Sequence, residues 1–276
     1  MLKSLLVHVP SERMMRPVVD GAVSLALARG ANLDAVSIGY ETSNIAMAFG
    51  GAAAAVFEIE YERAAERAQA ALAVFESEAR KAGIAYHLQA LTSTPFEAVA
   101  SVSALARLHD LTIVLQPDRE SDTFDNIMPV EILFQAGGPV LFIPYAHKGA
   151  LEFNRIGIAW DGSRLAARAV RDAAPFLARG NAVTIICVNG EDQPPANGTA
   201  AGLAAHLAQH GLASNVEHAI ADRADVQPTI LSIAADSGLD LIIMGAYGHS
   251  RLRERILGGV TRATLEAMTV PTLMSH

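Results

Sequence analysis

Only one cysteine, Cys187, occurs in 276 residues. That excludes an intrachain disulfide and any metal cluster built on several thiolates, and its place in the apolar run VTIICV reads as core. Aromatics are scarce at 5 % and prolines number 12, so alanine-faced helices that pack closely are expected, with no long disordered tail. A basic excess is missing as well. With 21 Lys and Arg against 29 Asp and Glu, the net charge is −8, the wrong sign for a protein whose main task is to hold nucleic acid. No stretch approaches the roughly 18 apolar residues of a spanning helix. The opening MLKSLLVHVP stops at proline, without the longer apolar run and cleavage site of a secretory leader. A cytoplasmic protein that is not embedded in a membrane is expected.

What is present is apolar bulk and strand–helix alternation. Hydrophobic residues make up 51 % against 18 % charged, and the length suits two domains better than one. Leu5 to Val9 reads as a short buried strand, residues 13 to 29 as a helix ended by Gly30, and Leu33 to Ile38 as a second strand. Tyr40 to Ala55 reads as a long loop or weak helix. From Val56 to Ala82 a helix places Phe57, Tyr61, Ala65, Ala68, Leu72, Phe75 and Ala79 on one side, and Gly83 closes it. Strand, helix and strand follow at 84 to 91, 95 to 108 and 111 to 115. A polar loop, 117 to 125, leads to a helix at 126 to 136 and a strand from Pro139 to Pro144.

After a linker at 146 to 154 the pattern begins again. Lys3-Ser-Leu-Leu-Val-His-Val aligns with Arg155-Ile-Gly-Ile-Ala-Trp-Asp, and Leu27-Ala-Arg-Gly with Leu177-Ala-Arg-Gly. Lys81-Ala-Gly-Ile-Ala aligns with Gln209-His-Gly-Leu-Ala, His109-Asp-Leu with Leu239-Asp-Leu, and Gly138-Pro-Val-Leu with Val270-Pro-Thr-Leu. Five anchors in one order argue for a duplicated domain. The boundaries read as 1–146 and 155–276, each an α/β unit with a mostly parallel sheet covered on both faces.

Chemistry concentrates in the second copy. The strand Leu241 to Met244 runs into Gly245-x2-Gly248-x9-Gly258-Gly259, and a helix begins near Thr261. Glycine turns that lead into a helix N-terminus gather backbone N–H groups for an anion, most often a phosphate. The spacing is neither the Walker loop nor the dinucleotide fingerprint. Thr261 can cap that helix or touch phosphate. His249, Arg251, Arg253 and Arg255 lie in the insert, opposed by Glu254. The first strand of this copy finishes at Asp161, whose two carboxylate oxygens suit a ribose hydroxyl pair. The alternative is that Asp161 caps the helix starting near Arg164, although Ser163 is better placed for that role. Val188, at the end of the second strand, either lines a slot for a base or packs in the core.

These residues together resemble the universal stress protein family, in tandem form and over essentially the whole chain. The resemblance implies two Rossmann-like domains, each a five-stranded, mostly parallel sheet in an α/β/α sandwich. It implies ATP as ligand, with or without Mg2+, held by the second domain. Asp161 would take the ribose and Val188 the adenine pocket, with Ala159 beside the nucleotide. Met244, Gly245, Gly248, His249, Gly258, Gly259, Val260 and Thr261 would form the phosphate corner. Gly259 departs from the family pattern, which has Ser or Thr there, so a hydroxyl donor is lost and the backbone N–H remains. The first domain departs further. Val9 replaces the aspartate, Leu115 and Asp118 the leading glycines, and Asn126 and Ile127 the later pair. Asp118, Glu120, Asp122 and Asp125 add negative charge there, so this domain is expected not to bind nucleotide. No Ser-His-Asp order and no H-E-x-x-H spacing is present. The expectation is therefore a nucleotide-dependent regulatory or protective module. Its expected partners are adenine nucleotide, a protein, its own sibling domain and a second copy in a dimer, with neither nucleic acid nor membrane. Slow ATP hydrolysis, adenylyl transfer and a purely structural role are the rival functions.

Overall fold

The computed structural model describes residues 1–41, 51–118, 120–121, 123–177, 182–189, 198–246 and 260–276. Each half of the chain supplies five strands, and both halves alternate strand with helix in the manner of a Rossmann-like α/β fold. The chain divides into two compact units. The first comprises Leu2–Gly137 with Tyr145–Leu151, and the second Gly138–Pro144 with Glu152–His276 and Met1.

In the first unit, β1 (Ser4–His8) lies between β2 (Asn32–Tyr40) and β4 (Leu111–Leu115), and β2 also pairs with β3 (Tyr86–Ser93). All these pairs are parallel. β1 and β4 are buried almost throughout, which explains why neither shows a strict polar–apolar alternation. Helix α1 (Arg16–Arg29) begins with proline in its first turn and ends at Gly30, whose φ of 57° fits the left-handed cap. α2 (Gly51–Ala82) starts earlier than Val56, so of the stretch expected as a long loop or weak helix, residues 51–55 are helical. It buries Ala64, Ala68, Ala71, Leu72, Phe75 and Ala79, whereas Tyr61 is exposed. α3 (Pro95–Ala106), a short 3-10 turn at Phe124–Asn126 and α4 (Met128–Gln135) complete the unit.

The second unit repeats this order. β6 (Arg155–Ala159) lies between β7 (Ala182–Val188) and β9 (Leu241–Gly245), all parallel, with β8 (Ser214–Ala219) beyond β7. β10 (Thr272–Ser275) pairs parallel with β9 on one side. On the other it pairs antiparallel with β5 (Val140–Ile143), a strand from the first half of the chain that belongs to this unit. The helices are α5 (Arg164–Asp172), the short α6 (Ala174–Leu177), α7 (Ala200–Gln209), α8 (Val226–Asp236) and α9 (Val260–Ala267).

One repeated anchor has a visible cause. Asp110 accepts hydrogen bonds from the amides of Lys3 and Ser4 at 2.7 and 3.0 Å, and Asp240 accepts from Asn154 and Arg155 at 2.7 and 2.9 Å. Each aspartate thus ties the start of one strand to that of its neighbour. The surroundings differ in effect. Amide bonds to Lys3 chiefly hold the Asp110 carboxyl below its ordinary range, while burial pushes Asp240 up. Among the described residues, no helix is long and apolar enough to cross a membrane.

Candidate functional site

Strand order decides where a ligand can sit. In the second unit the chain goes from β6 outward to β7 and β8, then returns on the other side of β6 as β9. The winding reverses between β6 and β9, and in open parallel sheets the crevice at the carboxyl ends of such a strand pair receives ligands. Ala159 and Met244 are register partners at that point, and Asp161 and Gly245 stand at its rim.

Asp161 does not cap α5. Its Oδ1 accepts from the Ser163 amide at 2.9 Å, while Ser163 caps α5 by accepting from the Ala166 amide at 3.1 Å. The capping role therefore falls to Ser163, and Asp161 shapes the turn that precedes it. Asp161 is exposed, and one carboxylate oxygen is enough for the turn. Gly162 between them has φ 72°, and a Cβ there would meet the Gly198 carbonyl oxygen at 3.0 Å.

Three of the expected nucleotide-site residues, one of them assigned to the phosphate corner, pack on one cluster. Ala159, Val188 and Val260 come from β6, β7 and α9, and each packs partly buried on one apolar cluster of Ile186, Ile230, Ala234, Leu239 and Ile242. The same cluster also takes Val226, Leu231, Ile233 and Val270. Met244 is buried within the sheet and Thr261 within the start of α9. Gly248, His249, Gly258 and Gly259, together with Arg251, Glu254 and the remaining arginines of the insert, lie outside the described residues.

The structure gives Gly245 a packing reason. A Cβ on it would stand 2.5 Å from both the Ala166 nitrogen and the Leu165 carbonyl carbon, so β9 and the start of α5 touch backbone to backbone. Gly245→Ala is therefore expected to destabilise the protein without ligand by about 2 kcal/mol, read as a lower urea midpoint. A variant of unchanged midpoint that loses ligand binding would instead reserve the missing Cβ for the ligand.

Two residues escaped the sequence reading. Trp160, the sole tryptophan, donates from Nε1 to the Gly198 carbonyl at 2.8 Å and so pins a loop beside the crevice. Asn189 has φ 58°. Its side chain donates to the Ala221 carbonyl at 2.7 Å and accepts from the Ala221 amide at 3.0 Å, tying the exits of β7 and β8 together. The Asn189-Gly190 pair is a turn signal in the sequence. The length of chain to which it bonds is not legible there. Among the described residues no group of three or more His, Cys, Asp or Glu is arranged to hold a metal ion.

Comparison with known proteins places this geometry. Residues 152–276 match the model of the universal stress protein family. A universal stress protein of Synechocystis sp. is 36 % identical over 47 residues, which are 17 % of this chain and 16 % of that protein. One from Methanocaldococcus jannaschii is 42 % identical over 45 residues, 16 % of this chain and 28 % of that protein. The matched stretches thus span well under two thirds of these relatives. Among solved structures, a universal stress protein from Archaeoglobus fulgidus superposes with a TM-score of 0.74 at 16 % identity, covering 98 % of this chain and 95 % of that one. A putative universal stress protein from Pseudomonas aeruginosa gives 0.61 at 16 % identity, covering 99 % and 93 %. At such identities the likeness concerns the fold. The family match covers residues 152–276, and the likeness of fold extends to the whole chain.

Proposed function

We propose that the second unit binds an adenine nucleotide, ATP in the first instance, and that the chain acts in the cytoplasm as a nucleotide-dependent regulatory or protective module. The observation that carries this reading is the convergence of Ala159, Val188 and Val260 on one apolar cluster, with Asp161 at the same switch point. The base would lie on the apolar side and the ribose hydroxyls would donate to Asp161. Phosphates would extend toward the start of α9, where the helix dipole favours negative charge. A Mg2+ ion carried in on the nucleotide would neutralise part of that charge.

The sole tryptophan provides the test, because Trp160 adjoins Asp161 in sequence and lies at the same strand end. Addition of ATP to the full chain is expected to change its fluorescence saturably, and Asp161→Ala is expected to weaken binding about tenfold. Mass spectrometry of ligand released from freshly purified protein is expected to find about one adenine nucleotide per chain. An Asp161→Ala variant with unchanged affinity would remove the ribose role, and a wild-type chain indifferent to ATP, ADP and AMP would remove the proposal.

A further inference from the structure

The first unit has its own switch point, between the carboxyl ends of β1 and β4, and it is filled from within. The 3-10 turn Phe124–Asn126 carries Asp125 into the crevice, where it is 1 % exposed. One of its oxygens, Oδ2, accepts from two successive amides, those of Ser11 and Glu12, each at 2.7 Å. Successive amides aimed at one oxygen form the concave donor set that elsewhere holds phosphate or carboxylate ligands. The flank carries both signs, with Arg67 near Glu12 and Asp118 near Arg13. Arg13 donates to the Gln116 carbonyl at 2.9 Å and to Asn126 Oδ1 at 3.0 Å, and Arg67 donates to the Tyr40 carbonyl at 3.3 Å.

The crevice also offers more polar capacity than its contents use. Among the described residues, both ring nitrogens of His8 and Nε of Arg67 are buried without a hydrogen-bond partner, while the Tyr40 hydroxyl faces the Asp125 carboxylate. His8 is fully buried, and its Nε2 stands 3.5 Å from Asp125 Oδ1, too far for a good bond. A settled polar core pairs such atoms. Burial pushes the Asp125 carboxyl up, so the negative charge is held there against a desolvation penalty. Like charge around the crevice was the expectation from sequence. The structure turns one of these carboxylates, Asp125, inward onto amide donors.

We propose that Asp125 is a built-in substitute for an anionic ligand: the crevice at the ends of β1 and β4 is an oxyanion site that the chain occupies with its own carboxylate. Emptied of that side chain, the Ser11 and Glu12 amides and the two guanidinium groups form a receptor for a small tetrahedral oxyanion such as inorganic phosphate. This rests on the first unit alone and stands or falls separately from nucleotide binding in the second.

The experiment uses the full chain carrying Asp125→Gly, with inorganic phosphate as probe. Asp161→Ala is present in every sample, so that the second unit's site is disabled. The thermal midpoint is expected to fall in Asp125→Gly, to recover most of the loss as phosphate is added, and not to recover with chloride at equal ionic strength. The His8 ring resonances are expected to shift with the same phosphate dependence. Asp125→Asn keeps an oxygen for the two amides, and is expected to stay folded and indifferent to phosphate, as is the chain with aspartate at 125. A folded Asp125→Gly chain whose midpoint and His8 resonances ignore phosphate overturns the proposal. So does one that fails to fold even in phosphate, or an equal phosphate response with aspartate in place.

Discussion

Gly39→Ala is expected to destabilise the first unit by about 3 kcal/mol or more, a larger loss than most single substitutions produce. Gly39 lies near the end of β2, where α2 crosses the sheet. A Cβ there would stand 2.1 Å from the Ala64 carbonyl oxygen and 2.4 Å from its carbon. Both are backbone atoms of a helix whose other contacts, through Ala68, Leu72 and Phe75, are also buried. No side-chain rotation relieves such a clash, so the strand or the helix must move and interiors packed to native density resist that. The control is Gly30→Ala. Gly30 has φ 57° and nothing within 4 Å of an added Cβ, so only conformational strain remains, about 1 kcal/mol. Urea unfolding of the two variants separates the mechanisms. Equal losses would mean that β2 and α2 are not in backbone contact.

The same comparison shows what was legible in the sequence. Helix ends at Gly30 and Gly83 were readable because a left-handed cap depends on its own few residues. So was the aspartate before β4 and β9, once the repeat was aligned, because each copy uses it to tie two strand starts. Gly39 was not, since the need for glycine comes from a helix residue 25 positions later. Gly245 was read as part of a phosphate turn, and its close neighbours prove to be Leu165 and Ala166, some eighty residues earlier. Tyr61 was placed on the buried face of α2 by its spacing and is exposed, because that face runs through Ala64, Ala68 and Ala71 instead. In the candidate site, Ala159 and Val188 were marked at strand ends. That they share a cluster with Val260 depends on α9 crossing near α8, which periodicity cannot specify. Asp125 reads in the sequence only as one of several charges that would repel a phosphate, because nothing local announces that amides of residues 11 and 12 await it.

Acid sensitivity should reside in His8. Burial, and then the positive charge of Arg13, depress its pKa from 6.5 to about 4. The sign follows from proton counting. Below pH 6.5 the unfolded chain takes up a proton at this residue, while the folded chain refuses it until about pH 4. Stability from keeping His8 neutral is complete above pH 6.5 and is lost as pH falls from there to about 4. At 1.36 kcal/mol per unit this amounts to about 3 kcal/mol by pH 4. Facing the imidazole, Asp125 works in the opposite sense. Burial raises its folded pKa, so protonation favours the folded state as pH drops through that raised value. Glu12, Arg13, Tyr40 and Arg67 complete the charged and titratable surroundings of this carboxylate–imidazole pair. Unfolding free energy measured in urea across this pH range is thus expected to fall steeply in the wild type and more steeply in Asp125→Asn, which lacks the compensating proton. In His8→Leu it is expected to fall less by about 3 kcal/mol, whatever that variant's absolute stability at pH 7. Should His8→Leu keep the wild-type slope, the proton taken up on unfolding goes elsewhere, and the buried imidazole does not set the acid limit of the fold.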